Sequence, residues 1–235
     1  SVVGGPNTPL STGVENLSWV AEGAAGTDVA GGFTQNTGVA DITVTITNDG
    51  GLDDATISTN SLYTDTGGPD PDPFAVNSGL AIGGDGGANV ATVDFSTTVE
   101  LTDVSFRIND IDSGGWQDVL TVNAYDANGN LVPVVLTPAG NDTVSGNTIT
   151  GGAGIDSEAD ADGSVLVEIA WPITSFEVIY QNGSTDGQVV YLTDIHYTAT
   201  ETDDDVLHGD QGGDTLQGGA GDDALFGDQL ALDPT

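Results

Sequence analysis

Aspartate and glycine residues near the C-terminus recur at a spacing that could hold a metal ion. Two consecutive nine-residue blocks, Gly209–Gln217 and Gly218–Phe226, follow the pattern G-G-x-G-x-D-x-U-x, in which U is a large aliphatic residue. Asp210 replaces the second glycine of the first block. Aspartate supplies a hard anionic oxygen that suits Ca²⁺, and glycine adopts turn conformations that other residues resist. The pattern predicts a calcium-binding segment whose aliphatic residues begin short stacked strands.

Partial copies flank the two blocks, so the phase runs from Asp205 to Gln229. This segment resembles the hemolysin-type calcium-binding (RTX) repeats of secreted bacterial proteins. The resemblance implies a parallel β-roll in which Ca²⁺ lies between turns, held by turn carbonyls and aspartates. The residues it implies as ligands or turn formers are Asp205, Asp214, Asp223, Gly209, Gly212, Gly218, Gly219 and Gly221. The alternative is a disordered tail rich in glycine and aspartate, but composition alone would not keep the phase.

Charge limits the partners of this chain. Its 235 residues include 37 Asp and Glu against one Lys or Arg, Arg107, which gives a net charge of −36. Such a chain cannot neutralise phosphates, so nucleic acid and anionic membranes are poor partners. Because 37% of residues are hydrophobic, we expect a folded domain with an acidic surface. No apolar run is long enough to span a membrane.

Several features favour a location outside the cell or on its surface. The chain has no cysteine, so calcium would stabilise it in place of disulfides. The resemblance to RTX repeats implies type I secretion through an uncleaved C-terminal signal. Because the repeats break off near Leu230, we expect the natural protein to continue into other domains.

A second acidic group lies between two predicted strands. Acids at alternate positions precede Gly163, as in the first half of a calcium loop; they are Asp156, Glu158, Asp160 and Asp162. The segment matches an EF-hand only in its first six residues, because Ile169 stands where the bidentate glutamate is required. We predict metal ligands here; the alternative is a solvated acidic loop.

A third group surrounds a tryptophan in the loop between two predicted strands. It comprises Asn109, Asp110, Asp112, Trp116 and Asp118. Carboxylates accept hydrogen bonds from sugar hydroxyls, and an aromatic face stacks on a pyranose ring. A calcium ion here could also bridge to vicinal diols or uronate groups. The pattern therefore predicts a carbohydrate site; alternatively, Trp116 caps the core and the aspartates hold a turn.

Single residues add further predictions. Asp194, in the segment before the repeats, is a further candidate metal ligand; a surface position on an edge strand is the alternative. Trp19 and Trp171 are expected in the core. Arg107 is expected to pair with buried carboxylates. His196 and His208 lie in different segments, so a zinc triad is not indicated.

Strands dominate the chain before the repeats. Alternating residues and turn signals predict nine strands, at 39–47, 54–59, 89–95, 99–109, 117–125, 130–137, 164–171, 174–181 and 189–199. Asp126–Asn130 should join two of them as a hairpin, and 64–73 should be loop. Short strands at this spacing indicate an all-β fold, a β-sandwich of the jelly-roll type. We expect a sandwich over 1–199, a linker over 200–204 and calcium-binding repeats over 205–235.

The strands around Val104–Asp126 look like the jelly-roll modules of extracellular bacterial proteins, many of which bind carbohydrate. The first hypothesis is therefore a calcium-binding, non-catalytic module that recognises an extracellular or cell-surface polysaccharide. The second is a calcium-stiffened structural domain of an adhesin with no ligand of its own. The third is a polysaccharide hydrolase or lyase, although no catalytic motif such as G-x-S-x-G is present.

Overall fold

The computed structural model describes residues 14–48, 52–60, 62–63, 78–84, 90–183, 186–199, 206–209 and 224–226. The predicted loop 64–73 and linker 200–204 lie outside these residues. The strands are β1 Glu15–Leu17, β2 Phe33–Asn36, β3 Asp41–Asn48, β4 Leu52–Ser58, β5 Gly79–Gly84, β6 Val90–Asn109, β7 Asp118–Tyr125, β8 Leu131–Val132, β9 Val135–Pro138, β10 Thr143–Ser145, β11 Thr148–Thr150, β12 Val165–Ile169, β13 Ile173–Asn182, β14 Gln188–Thr193, β15 Ile195–Ala199, β16 Val206–His208 and β17 Ala224–Phe226. Within the described ranges the helical structure is a single 3-10 turn, Trp19–Ala21. No helix there has the length and apolarity needed to cross a membrane.

The long strand β6 belongs to both layers of an all-β sandwich. Its first half pairs with β13 and β3, and the layer continues through β7, β11 and β10 on one side and β2 on the other. Its second half pairs with β12, β14 and β15, which lead to β9, β5 and β1. The pairing registers of β6 are antiparallel. The predicted all-β sandwich is confirmed.

The sequence predicted two strands where the structure has one. Segments 89–95 and 99–109 join into β6, which changes layers near its centre. The pairing of β13 with β6 shifts register between Ile173 and Ser175, and Asp103 has a φ of 51°. Left-handed backbone at a non-glycine residue and a register shift mark a local change in strand direction. The low apolar content of this bend, Ser96-Thr97-Thr98, gave the appearance of a break between strands.

Aromatic side chains fill the space between the two layers. The rings of Phe95 and Phe176, on paired strands, stack with centroids 4.2 Å apart. Phe106, in the second half of β6, stacks on Phe176 at 5.5 Å. Trp19 is fully buried and meets the edges of Phe33 and Phe95. The core position predicted for Trp19 is thus confirmed.

Other corrections follow from strands that the residue pattern does not reveal. The structure adds β1, β2, β5, β10 and β11, and it divides both 130–137 and 189–199 into two strands. β5 reads Gly-Leu-Ala-Ile-Gly-Gly and is buried along nearly its whole length, so it lacks the alternation of a half-buried strand. Its glycines allow close approach, because a Cβ on Gly83 would lie 2.9 Å from the Gln188 carbonyl oxygen.

The predicted core position of Trp171 is wrong. Its side chain is 59% exposed. It lies between β12 and β13, after the last residue that pairs with β6. A tryptophan beside a proline in a short turn has no opposing layer to cover it, so Trp171 lies on the surface.

Candidate functional site

Two loops, 110–117 and 151–164, meet at one end of the sandwich, beyond Asn109 at the end of β6. Backbone bonds join these loops: Ile111 N donates to Gly163 O at 3.0 Å, and Gly151 N donates to Asp118 O at 2.8 Å. Ser113 Oγ donates to the Gly152 carbonyl at 2.7 Å. The acidic groups predicted around Trp116 and at 156–162 are therefore parts of one cluster. We call Asp110, Asp112, Asp118, Asp142, Asp156, Glu158 and Asp162 the acidic cluster.

Asp112 organises this cluster by accepting hydrogen bonds from three segments. Its carboxylate is fully buried. Oδ1 accepts from the Trp116 indole N–H and, at 2.8 Å, from Gln188 Nε2. Oδ2 accepts from the backbone N–H of Asp156 at 2.7 Å. Asp112 thereby fixes the tryptophan loop against the 151–163 loop and the start of β14.

Asp118 is also fully buried and holds the start of β7. Its Oδ1 accepts from the Tyr180 hydroxyl at 3.0 Å, and its Oδ2 accepts from Asp112 N at 3.0 Å. Burial raises the pKa of Asp118 to about 7, even though these two hydrogen bonds act to lower it. Burial and the neighbouring Asp118 in turn raise the pKa of Tyr180.

Asp110 has one buried carboxylate oxygen without a partner. Its side chain is 7% exposed, and its backbone is left-handed with a φ of 64°. Among the described residues nothing donates a hydrogen bond to Oδ1. Burial raises the pKa of Asp110 to about 8. Repulsion from neighbouring carboxylates raises it further; they are Asp112, Glu158, Asp118 and Asp156. Strained backbone conformations cluster at functional sites, and a buried polar atom without a partner calls for an explanation such as an unseen ion.

Asp142, which the sequence did not indicate, has a second such oxygen. Its Oδ1 accepts from Gly152 N at 2.9 Å, whereas its Oδ2 is buried and has no partner in the described part of the chain. Burial raises the pKa of Asp142 to about 6, although the hydrogen bond from Gly152 N acts to lower it. Repulsion from Asp156, Asp112 and Asp162 also raises this pKa. The sequence around Asp142, Gly-Asn-Asp, is an ordinary turn pattern. Only the fold brings it to the acidic cluster.

The predicted calcium loop supplies the outer part of the cluster. Asp156 and Glu158 are half-buried and Asp162 is exposed. The pKa of Asp156 is raised by burial and by repulsion from Asp112, Asp162 and Asp160. Asp160 is exposed and its Oδ2 accepts from Ser157 N and Oγ at 3.0 and 2.9 Å. Asp160 thus closes a local turn.

Trp116 is neither a core residue nor a free surface residue. It is half-buried, and its ring packs against Gly114, where a Cβ would lie 3.4 Å from the indole. Its N–H is directed to Asp112. One face of a fixed indole at a loop lined by carboxylates can stack on a sugar ring.

Two residues in the predicted sites serve the packing. Asn109 is fully buried; its Oδ1 accepts from Ser164 Oγ at 2.7 Å and its Nδ2 donates to the Tyr63 carbonyl. Asp194 is 3% exposed, so a surface position is wrong. Its Oδ1 accepts from Trp19 N at 2.8 Å. These contacts hold the 3-10 turn to the junction of β14 and β15, and the structure does not bring Asp194 into the acidic cluster.

The single arginine lies under the same end of the sandwich. Arg107 is 8% exposed and donates to Ser164 Oγ at 3.2 Å. Its guanidinium carbon lies 5.2 Å from the centroid of the Tyr63 ring, within the range of a cation–π contact. Arg107 thus links β6 to the segment at residue 63. Its predicted pairing with carboxylates stays a prediction.

The sequence did not predict a row of polar residues on the outer face of the first layer. Outward residues from four strands lie in register, in a row formed by Asn123, Glu177, Asp94 and Thr45. Glu177 Oε1 accepts from Asn123 Nδ2 at 2.9 Å and from the Tyr125 hydroxyl at 2.8 Å. Because these strands are distant in sequence, only the pairing order places their side chains together.

The two described strands of the repeat segment pair at an interval that matches the nine-residue repeat. β16 and β17 pair in parallel, with Leu207 opposite Leu225, two nine-residue repeats further on. Gly209 N donates to Phe226 O at 2.7 Å. The other glycines and aspartates predicted here lie outside the described residues; they are Asp205, Gly212, Asp214, Gly218, Gly219, Gly221 and Asp223. Parallel pairing at this interval is the arrangement expected of a β-roll.

Residues 200–229 match the family of RTX calcium-binding nonapeptide repeats. A comparison of the chain with curated protein sequences found no match. The predicted resemblance to RTX repeats is confirmed for this segment.

Solved structures that match the chain include a family 11 carbohydrate-binding module from Clostridium thermocellum. It has 11% identity and a TM-score of 0.33, over 81% of this chain and 96% of that one. The CBM22-1 xylan-binding domain of Paenibacillus barcinonensis has 12% identity and a TM-score of 0.31, over 66% and 85%. The enzymatically active domain of tailspike protein 4 of bacteriophage CBA120 has 12% identity and a TM-score of 0.36, over 66% of this chain and 19% of that one. With TM-scores this low, no ligand or activity carries over from them.

Proposed function

We propose that this chain is a calcium-binding, non-catalytic module of a secreted or cell-surface protein and that it recognises carbohydrate. The observation that carries the proposal is the half-buried indole of Trp116, held by Asp112 in a loop among carboxylates. A fixed aromatic face stacks on the C–H face of a pyranose, while carboxylate oxygens accept from its hydroxyls. The ligand is an extracellular or cell-surface polysaccharide.

Calcium belongs to this proposal through the repeat segment. The parallel pairing of β16 with β17 fits a roll whose turns repeat every nine residues. The ligands would be the aspartates in phase, Asp205, Asp214 and Asp223, together with carbonyl oxygens of the glycine-rich turns. Bound calcium would neutralise carboxylates and hold successive turns together. We propose no catalytic role for it.

Two other functions compete with this proposal. In the first, calcium stiffens the chain as a structural domain of an adhesin, and no sugar binds. In the second, a pair among the many carboxylates cleaves a polysaccharide. A uronate lyase must also neutralise a substrate carboxylate, and the one arginine of the chain is 8% exposed. These observations favour binding over catalysis.

A glycan array tests the proposal, run on the full chain in millimolar calcium and again in excess chelator. Trp116→Ala should abolish binding, because it removes the stacking face while most of the core stays intact. Trp171→Ala is the matched control, since Trp171 is exposed and lies on a different turn; it should bind as the wild type does. Binding to no glycan would favour the structural domain, and release of reducing ends would favour the hydrolase.

A further inference from the structure

Two carboxylate oxygens in the acidic cluster are buried without a partner. Asp110 and Asp142 are 7% and 6% exposed, and neither Oδ1 of Asp110 nor Oδ2 of Asp142 accepts a hydrogen bond within the described residues. A buried charged oxygen that has neither a hydrogen bond nor a counter-ion disfavours folding. Each of these oxygens therefore calls for a proton or a cation.

The surroundings of both oxygens favour a cation. Asp156 and Asp112 act electrostatically on both Asp110 and Asp142. Both Asp112 oxygens already accept hydrogen bonds, from Trp116, Gln188 and the backbone N–H of Asp156. Of the two acids that act on both Asp110 and Asp142, Asp156 is therefore the one whose carboxylate is better placed to bind a cation. Oxygen donors with several negative charges suit calcium. The half-buried Asp156 and the exposed Asp162 give an ion a path from solvent.

We propose that Asp110, Asp142 and Asp156 form a divalent-cation site of the sandwich, which takes calcium independently of the repeats. Within the described ranges, no three acidic or histidine side chains lie close enough together to hold a metal ion as they stand. Binding therefore draws Asp156, and Asp162 or Glu158 beside it, toward the two buried oxygens. The site requires calcium but no sugar, so calcium binding here can be tested separately from carbohydrate binding.

Terbium, which replaces calcium and emits when a nearby tryptophan is excited, can locate this site. Residues 200–235 contain no Trp or Tyr, so tryptophan-sensitised emission reports ions bound to the sandwich. The test uses the full chain and four variants: Asp110→Asn, Asp142→Asn, Glu168→Gln and the repeat double variant Asp214→Asn with Asp223→Asn. Asparagine tolerates the left-handed backbone of Asp110. Glu168 is the control, because it is an exposed acid on β12, outside the acidic cluster.

The wild type, the Glu168 variant and the repeat variant should all give terbium emission, which falls when calcium displaces the terbium. Asp110→Asn and Asp142→Asn should each weaken terbium and calcium binding by about tenfold or more. Unchanged binding in both variants would overturn the proposal and leave protons as the neutralising species. An equal loss in the Glu168 variant would also overturn it, because the effect would then be one of overall charge.

Thermal unfolding gives a second readout. In chelator, Asp110→Asn should be at least as stable as the wild type, because it removes an unpaired buried acid. In calcium it should gain a smaller rise in melting temperature than the wild type gains. An identical calcium-induced rise in the two proteins would contradict the site, whether or not the repeats bind calcium.

Discussion

At the scale of single residues, the acidic cluster divides into structural and open carboxylates. Both oxygens of Asp112 and of Asp118 accept hydrogen bonds that join loops and strands. Asp110 and Asp142 each keep one oxygen without a donor in the described part of the chain. The sequence indicated most of these acids but could not separate the two kinds, because the difference depends on which donors the fold brings near.

The raised pKa of Asp118 predicts how stability depends on pH when calcium is removed. Because the pKa is about 7 in the folded chain against an ordinary 3.8, the folded state binds more protons between these values. The contribution of Asp118 to the free energy of unfolding should therefore fall as pH rises from about 4 to about 7. Denaturant unfolding in chelator across this range measures the slope. Asp110 and Asp142, whose pKa values are also raised, act in the same direction.

Asp118→Asn should reduce this slope, since asparagine does not titrate. Asp126→Asn is the control: hydrogen bonds from Asn130 and Asn128 lower the pKa of Asp126, so this group adds no slope above about pH 4. A stability that rises with pH between 4 and 7 in chelator, or an unaltered slope in Asp118→Asn, would show that Asp118 is not protonated in the folded chain.

At the scale of elements, close backbone contacts set the positions of the loops that carry the acids. A Cβ on Gly140 would lie 2.2 Å from Asp162 Cα and 2.3 Å from its carbonyl oxygen. Gly140 thereby lets the loop before β10, which carries Asp142, pack directly on the loop that carries Asp162. A side chain at this position would separate the two loops.

Gly140→Ala should accordingly destabilise the chain by about 1–3 kcal/mol, the usual cost of overpacking, and weaken calcium binding at the acidic cluster. Gly31→Ala is the matched control, because a Cβ there meets nothing within 4 Å; its stability should match that of the wild type. Chemical denaturation of both variants measures the difference. Equal stability of the two would mean that the loops do not pack as described.

The elements also show what a sequence can reveal. The hairpin predicted at 126–130 is confirmed: β7 pairs with β8, Asp126 accepts from Asn128 and Asn130, and Gly129 has a φ of 77°. This turn is local, so its residues specify it. The polar row through Glu177 and Asp94 is not local, since its four strands pair in an order different from their order in the chain. Long-range register of this kind cannot be read from spacing.

At the scale of the whole molecule, the large negative charge of this chain opposes folding. A net charge of −36 with one Lys or Arg makes the folded chain repel itself. Bound calcium would offset this repulsion in the repeats and, under our proposal, in the sandwich. The two regions should respond separately if the boundary proposed near residue 200 is right.

Replacing both Asp214 and Asp223 with alanine tests that boundary. The variant should lose the parallel pairing around Leu207 and Leu225, because calcium no longer holds the turns, while the sandwich stays folded. Hydrogen exchange in calcium should become fast in peptides from 206–226 and stay unchanged in peptides from β6. Faster exchange in β6 would show that the sandwich and the repeats fold as one unit.

The most direct test of the account is calorimetric unfolding of the full wild-type chain in excess calcium and in excess chelator. Calcium that binds only the folded state adds about 2.7 kcal/mol of stability at 100-fold excess over its Kd. We expect a marked rise in melting temperature with calcium, reversed by chelator, and a smaller rise in the variant whose repeat aspartates are replaced. A melting temperature that is the same with calcium and with chelator would contradict the central claim that this acidic chain depends on calcium.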